Sequence, residues 1–220
     1  MLEDYLEELK SENWRDVSNS LIYVRCPQKM DVLKKAGFDV APANDGVLAL
    51  AFVNHNEGLS LYVIAAAHIR NDSIFVSKEN KSAMLIFNVE TLLKDFQSDV
   101  CKYLNQNYIE LDFNKYSYYA DLVIKKFEND CEEAADIRKI FELDDFRRAF
   151  FPDDIEVILI CTKTGQEKTW VRVEQYGDNC LYGKLLTEPS ESFGIHKGDL
   201  IDFMLVEQNG KLSTVHVEKD

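Results

Sequence analysis

Hydrophobic and polar positions divide the chain into pieces with two different periods. Leu2, Leu6 and Leu9 stand at helical spacing with acids on the other face, which predicts an amphipathic first helix. Ser20-Leu21-Ile22-Tyr23-Val24-Arg25-Cys26 reads as a strand ended by Pro27, and Met30 to Ala36 as a helix stopped by Gly37. Two longer β-rich runs, Val47 to Val53 and Leu59 to Ala67, flank Asn54-His55-Asn56-Glu57-Gly58, whose Asn and Gly residues accept the positive φ of a tight connection. They predict a hairpin. Ser73 to Ser77 and Ala83 to Phe87 predict further strands, so the first half should be a mostly antiparallel sheet.

The period changes after Val89. Leu92, Leu93, Phe96, Val100, Tyr103 and Leu104 mark one helical stripe, Tyr108 to Phe113 is strand-like, and Tyr118 to Phe127 and Ala134 to Phe141 read as helices. Tyr116, Tyr118 and Tyr119, beside a helix start, are expected to brace packing with their hydroxyls in water rather than to line a pocket. Proline and paired acids at Phe150-Phe151-Pro152-Asp153-Asp154 interrupt the helical pattern just before the strand Ile155 to Ile160. That predicts two portions, 1–152 and 153–220. Past the boundary the strands are short and punctuated by turns. The expected fold class is α+β: a mostly antiparallel sheet with helices in the N-terminal portion, then a small barrel-like β module.

Composition narrows the function classes. Of 220 residues 46% are hydrophobic, enough to bury a core. A formal charge of −14 argues against nucleic acid as a partner, because affinity for phosphate comes from cations displacing counterions. A basic protein is electrostatically easier, although acidity also simply keeps soluble proteins apart. Met1-Leu2-Glu3-Asp4-Tyr5-Leu6-Glu7-Glu8 lacks a basic, apolar leader, and the longest apolar runs are far short of the roughly 20 residues of a membrane span. A cytoplasmic protein with no membrane contact is expected. Cys26, Cys101, Cys131, Cys161 and Cys180 are odd in number and never form Cys-x-x-Cys, so reduced thiols are expected.

Candidate chemistry is sparse. His55, His68, His196 and His216 show no metal-ligand spacing, and no phosphate-binding glycine loop is present, so no metal, cofactor or catalytic set is expected. Ser190, Ser192, His196 and Asp199 crowd together, but without the nucleophile elbow of a hydrolase. The acidic residues Glu128, Asp130, Glu132, Glu133, Asp136, Asp144 and Asp145, followed by Asp153 and Asp154, form a candidate face for a basic partner. Glu132 and Glu133 also have a plainer role, offsetting the positive end of a helix that begins there.

In the last part of the chain Glu167, Trp170-Val171, Gly183-Lys184-Leu185, Glu188-Pro189 and Lys197-Gly198-Asp199 follow one another in order. Trp170 is expected to anchor a small core, Gly183 and Gly198 to permit turns or close strand approach, and Asp199 to stabilise its own turn. This order resembles the bacterial domain of unknown function 2314 family, small β domains with relatives among immunity proteins of toxin systems. Thr187 stands where that family has Asn, and Val215-His216-Val217-Glu218 where it closes on Asp-Trp. The resemblance implies a small β fold and a bacterial immunity or accessory protein; joined to the charge of −14 and the absence of a catalytic set, it leads to the expectation of a cytoplasmic binding protein that acts without catalysis on a basic protein partner. The alternatives are a hydrolase-like enzyme with a site where the two portions meet, using His55, His196 or Asp199, and a structural subunit of an assembly.

Overall fold

The structure is a computed structural model that describes residues 2–8, 14–95, 102–104, 113–128, 132–161, 165–177, 180–190 and 193–217. The chain is a mixed α+β protein of two compact units, Met1–Phe127 and Glu128–Asp220. No helix among the described residues is long and apolar enough to cross a membrane.

The first unit is built on an antiparallel sheet. Its strands are β1 (Glu7–Glu8), β2 (Leu21–Arg25), β3 (Gly46–Asn54), β4 (Gly58–Arg70), β5 (Ser73–Val76), β6 (Ile86–Asn88) and β7 (Lys102–Leu104). They pair in the order β1-β7-β2-β3-β4-β5, and β6 joins the other half of β4. Its helices are α1 (Trp14–Val17), α2 (Met30–Lys35), α3 (Val89–Asp95) and α4 (Ser117–Val123). The β3–β4 hairpin pairs Asn54 with Gly58 and runs back to Gly46 with Ala67. Both faces of these two strands are buried, which is why they read as continuous apolar runs rather than as an alternation. Tyr116, Tyr119 and Val123 of the α4 region cover one face, against Tyr23, Leu48, Phe52, Tyr62 and Ile64. The fully buried Tyr23 keeps its hydroxyl satisfied by donating to Asp45 Oδ1 at 2.6 Å.

The second unit holds α5 (Glu132–Ile137), β8 (Arg147–Arg148), β9 (Phe151–Cys161), β10 (Gly165–Tyr176), β11 (Leu181–Leu185), β12 (Leu200–Gln208) and β13 (Lys211–Val217). Strands β9 to β13 close into a five-stranded barrel, with β8 added to β9. Each of the four consecutive pairs is antiparallel. After four reversals the fifth strand runs the same way as the first, so the closing β13–β9 pair is parallel, Val215 opposite Ile158. The interior is filled at period two by Ile155, Val157 and Leu159, Val171 and Val173, Leu181 and Leu185, Ile201 and Phe203. Ile137, Leu143 and Phe193 join the same core from outside the strands.

Several sequence expectations are corrected. Leu2–Tyr5 is a single 3-10 turn followed by β1, and Leu9 lies outside the described residues. The stripe from Leu92 to Leu104 is not one helix: α3 ends at Asp95, and Tyr103 and Leu104 sit in β7, paired with β2. The strand expected over Tyr108–Phe113 falls outside the described residues except Phe113, which opens a 3-10 turn. The Tyr118–Phe127 helix begins at Ser117 and ends as a π turn over Ile124–Glu128, and α5 stops at Ile137. Tyr119 does not leave its hydroxyl in water: it donates to Glu79 Oε2 at 3.0 Å. Pro152 is buried inside β9 rather than lying in a linker, and the division between units falls upstream of it, after Phe127. The bend that precedes β9 is made by Phe150, whose φ is +62°.

Candidate functional site

The C-terminal motif residues assemble into a braced loop. Glu188 Oε1 lies 2.8 Å from His196 Nδ1, and its Oε2 accepts the Lys197 N–H at 2.8 Å. Asp199 Oδ2 accepts the His196 N–H at 2.8 Å, as expected of a side chain closing its own turn, and Gly198 takes a φ of +97° there. The Gly198 N–H donates to Leu185 O and the Leu185 N–H to Asp199 O, which ties the loop to β11. Glu167 Oε2 accepts the Ser190 N–H at 3.0 Å. Asp199 thus engages the backbone of His196 and Glu188 its ring, so these side chains hold a loop; Ser192 lies outside the described residues. The Glu188 contact raises the His196 pKa, and the His196 and Lys197 contacts lower that of Glu188. Trp170 is not the core anchor expected of it. It is half-buried on the outer face of β10, opposite Glu156, while Val171 and Val173 point inward.

The acidic run splits into inner and outer sets. Asp153 and Asp154, adjacent on β9, are both buried. Asp153 takes a two-pronged hydrogen bond from Arg138 at 2.8 and 2.6 Å, and Asp154 one from Arg172 at 2.8 and 3.2 Å. The Arg147 side chain, 2% exposed, donates to Ile137 O at 2.9 Å and Ile140 O at 3.2 Å, and pairs with Asp144 at 2.8 Å. It thereby adds a second donor to carbonyls that already accept the Ile140 and Leu143 N–H groups, tying the end of α5 to β8. Arg138, Arg147 and Arg172 are therefore largely buried and paired, Arg172 on the outer face of β10, whereas Arg148 is 38% exposed. The outer set is Glu133, Asp136, Glu142 and Asp145, all exposed. Asp130 lies outside the described residues, as do the side chains of Glu128 and Glu132. Residues 128–220 carry twenty-one Asp and Glu against eleven Lys and Arg, so ten of the fourteen net negative charges belong to the barrel unit.

Next to this outer set the barrel unit opens a groove of about 280 Å³, lined by Ile140, Leu143, Tyr176, Cys180, Leu181, Met204 and Leu205. It lies where the 3-10 turn Phe141–Phe146 meets the β10–β11 hairpin and β12. Leu143 and Leu181 are buried in its floor, whereas Tyr176 is 62% and Met204 45% exposed. Sequence reasoning missed it. The available signal was β12 itself: Ile201, Phe203 and Leu205 alternate inward, yet the intervening Met204 and Val206 are apolar too.

The remaining candidates are dispersed. His55 is half-buried in the β3–β4 turn, His68 Nδ1 lies 3.2 Å from Asn44 Nδ2, and His216 Nδ1 donates to Asp202 O at 2.6 Å. No group of three or more His, Cys, Asp or Glu placed to hold a metal occurs among the described residues. Cys26, Cys161 and Cys180 are free thiols, and Cys101 and Cys131 lie outside the described residues. The chain matches no protein-family model, no curated protein and no solved structure.

Proposed function

We propose that this protein acts by binding, without catalysis, a basic protein partner through the acidic outer surface of its barrel unit, as a bacterial cytoplasmic immunity or accessory protein. The observation that carries this reading is the separation of charge within that unit. Arg138, Arg147 and Arg172 are largely buried in pairs with Asp153, Asp144 and Asp154, while Glu133, Asp136, Glu142 and Asp145 stand exposed, Asp136 beside the equally exposed Lys139 at 2.7 Å. The unit also exposes Lys139, Lys168, Lys184, Lys197 and Lys211, but its surplus of carboxylates gives a net negative field that speeds encounter with an oppositely charged partner and discourages acidic ones. The ordered motif from Glu167 to Asp199, similar to the domain of unknown function 2314 family, supports the same class.

The test is retention of bacterial lysate proteins on the immobilised full chain at about 0.1 M and about 1 M salt, between which the screening length falls from roughly 10 to 3 Å. A basic protein held at low salt, released at high salt and lost by the E133K/D136K/E142K/D145K variant supports the proposal. Retention that neither salt nor charge reversal alters overturns it.

A further inference from the structure

The groove beside the acidic turn gives the interaction a specific form. We propose that it receives one apolar side chain of the partner, carried on a segment rich in Lys and Arg, so that recognition combines an apolar anchor with flanking cations. This deepens the function proposed above and rests on it.

The size of the groove selects the guest. About 280 Å³ falls just below the roughly 300–1,000 Å³ of small-molecule sites, and suits a Leu, Met or Phe side chain better than a cofactor. Its walls suit such a guest. Ile140, Leu143, Leu181 and Leu205 offer no charge, Met204 is an adaptable thioether wall, and Tyr176 is a rigid ring at the rim of the kind that dominates binding energies. Charge then selects what surrounds the guest. The turn that supplies Leu143 also carries Glu142 and Asp145, both exposed, so a chain leaving the groove on that side meets carboxylates within one or two residues of the wall. A cationic neighbour is favoured there and an acidic one repelled.

The probe is a fluorescein-labelled peptide of alternating Arg and Ser with one central Leu-Phe pair. A second peptide has Ser-Ser in place of Leu-Phe, and a third has Glu in place of Arg. Anisotropy with the full chain should show the first binding at least about tenfold more tightly than the second, a step of about 1.4 kcal/mol. The third should not bind. Met204→Glu should remove the advantage of the first over the second, while E142Q/D145N should weaken both by the same factor. The Met204 methyl resonance should shift with the first peptide only. Equal affinity for the first two peptides overturns the anchor while leaving the acidic-surface reading standing. Failure of both Arg peptides at low salt overturns both readings. A Met204 shift that depends on protein concentration without peptide means that a second copy fills the groove, which overturns the anchor.

Discussion

One carboxylate, Glu188, contacts both the ring and the backbone of a single turn: Oε1 is 2.8 Å from His196 Nδ1, and Oε2 accepts the neighbouring Lys197 N–H at 2.8 Å. The contact ties the two pKa values to loop stability. His196 is raised above the ordinary value of about 6.5, so its contribution is complete below that pH and is lost as pH rises through the raised value. Glu188 is lowered from about 4.5, so its contribution is complete above that pH and is lost as pH falls through the lowered value. The loop is held best between about pH 4.5 and 6.5. Both side chains are open to solvent, so the readout is the titration itself. The His196 ring proton should titrate above its ordinary range by NMR, and Glu188→Gln should bring it down. An unchanged midpoint in that variant would show that the contact does not form in solution.

Asp154 and Arg172 form a pair whose loss should be expensive. Asp154 is fully buried, and the Arg172 side chain is 15% exposed. Asp154→Ala removes the two-pronged partner of a guanidinium that is largely buried on the outer face of β10 and should cost about 3 kcal/mol or more. Arg148, 3.7 Å from the same carboxylate, loses a partner as well. Removing both charges with D154L/R172M should cost clearly less than the sum of the single substitutions in urea unfolding, because neither charge is left alone. Additive losses would refute the coupling.

The strands were legible because their cause is local, and so was α2, which Gly37 stops with a φ of +87°; the long helix expected after Val89 failed because what shapes that segment is tertiary. Leu21–Arg25, Gly46–Asn54 and Gly58–Arg70 are long apolar runs bounded by Pro, Asn and Gly, which no other element accommodates. Tyr103 and Leu104 continue the period of Leu92 by coincidence. They become strand because β2 offers an open edge, Tyr23 opposite Leu104. The expected core anchor failed for a related reason. Trp170 and Val171 differ by one position, and with a period of two the register of β9, Val171 opposite Ile155, decides which of them faces inward. Charge pairing was equally hidden, since Arg138 and Asp153 are fifteen residues apart and both polar in sequence, yet both are largely buried.

Gly183 sits where β10 and β11 approach too closely for a side chain. A Cβ there would meet the Val171 side chain and lie 2.6 Å from the Arg172 carbonyl oxygen, a backbone atom that does not yield. Gly183→Ala should destabilise the barrel by about 1–3 kcal/mol through overpacking. With Trp14→Phe as background, Trp170 fluorescence reports the transition. An unshifted midpoint would mean that the two strands separate without loss.

The positions of Trp170 and Phe203 reverse the order of importance that side-chain size suggests. Phe203 is fully buried in the barrel among Val171, Leu181 and Ile201, so Phe203→Ala removes a packed ring and leaves a cavity, a loss of about 3–5 kcal/mol. Trp170 is larger but half-buried on the outer face, where water and neighbouring side chains relax into the vacated space. Trp170→Ala should therefore cost distinctly less than Phe203→Ala. Guanidinium unfolding followed by far-ultraviolet circular dichroism compares the two on one scale. If Trp170→Ala proves the more damaging, the register of β10 against β9 is one residue away from that described, and every inward residue of that strand changes face.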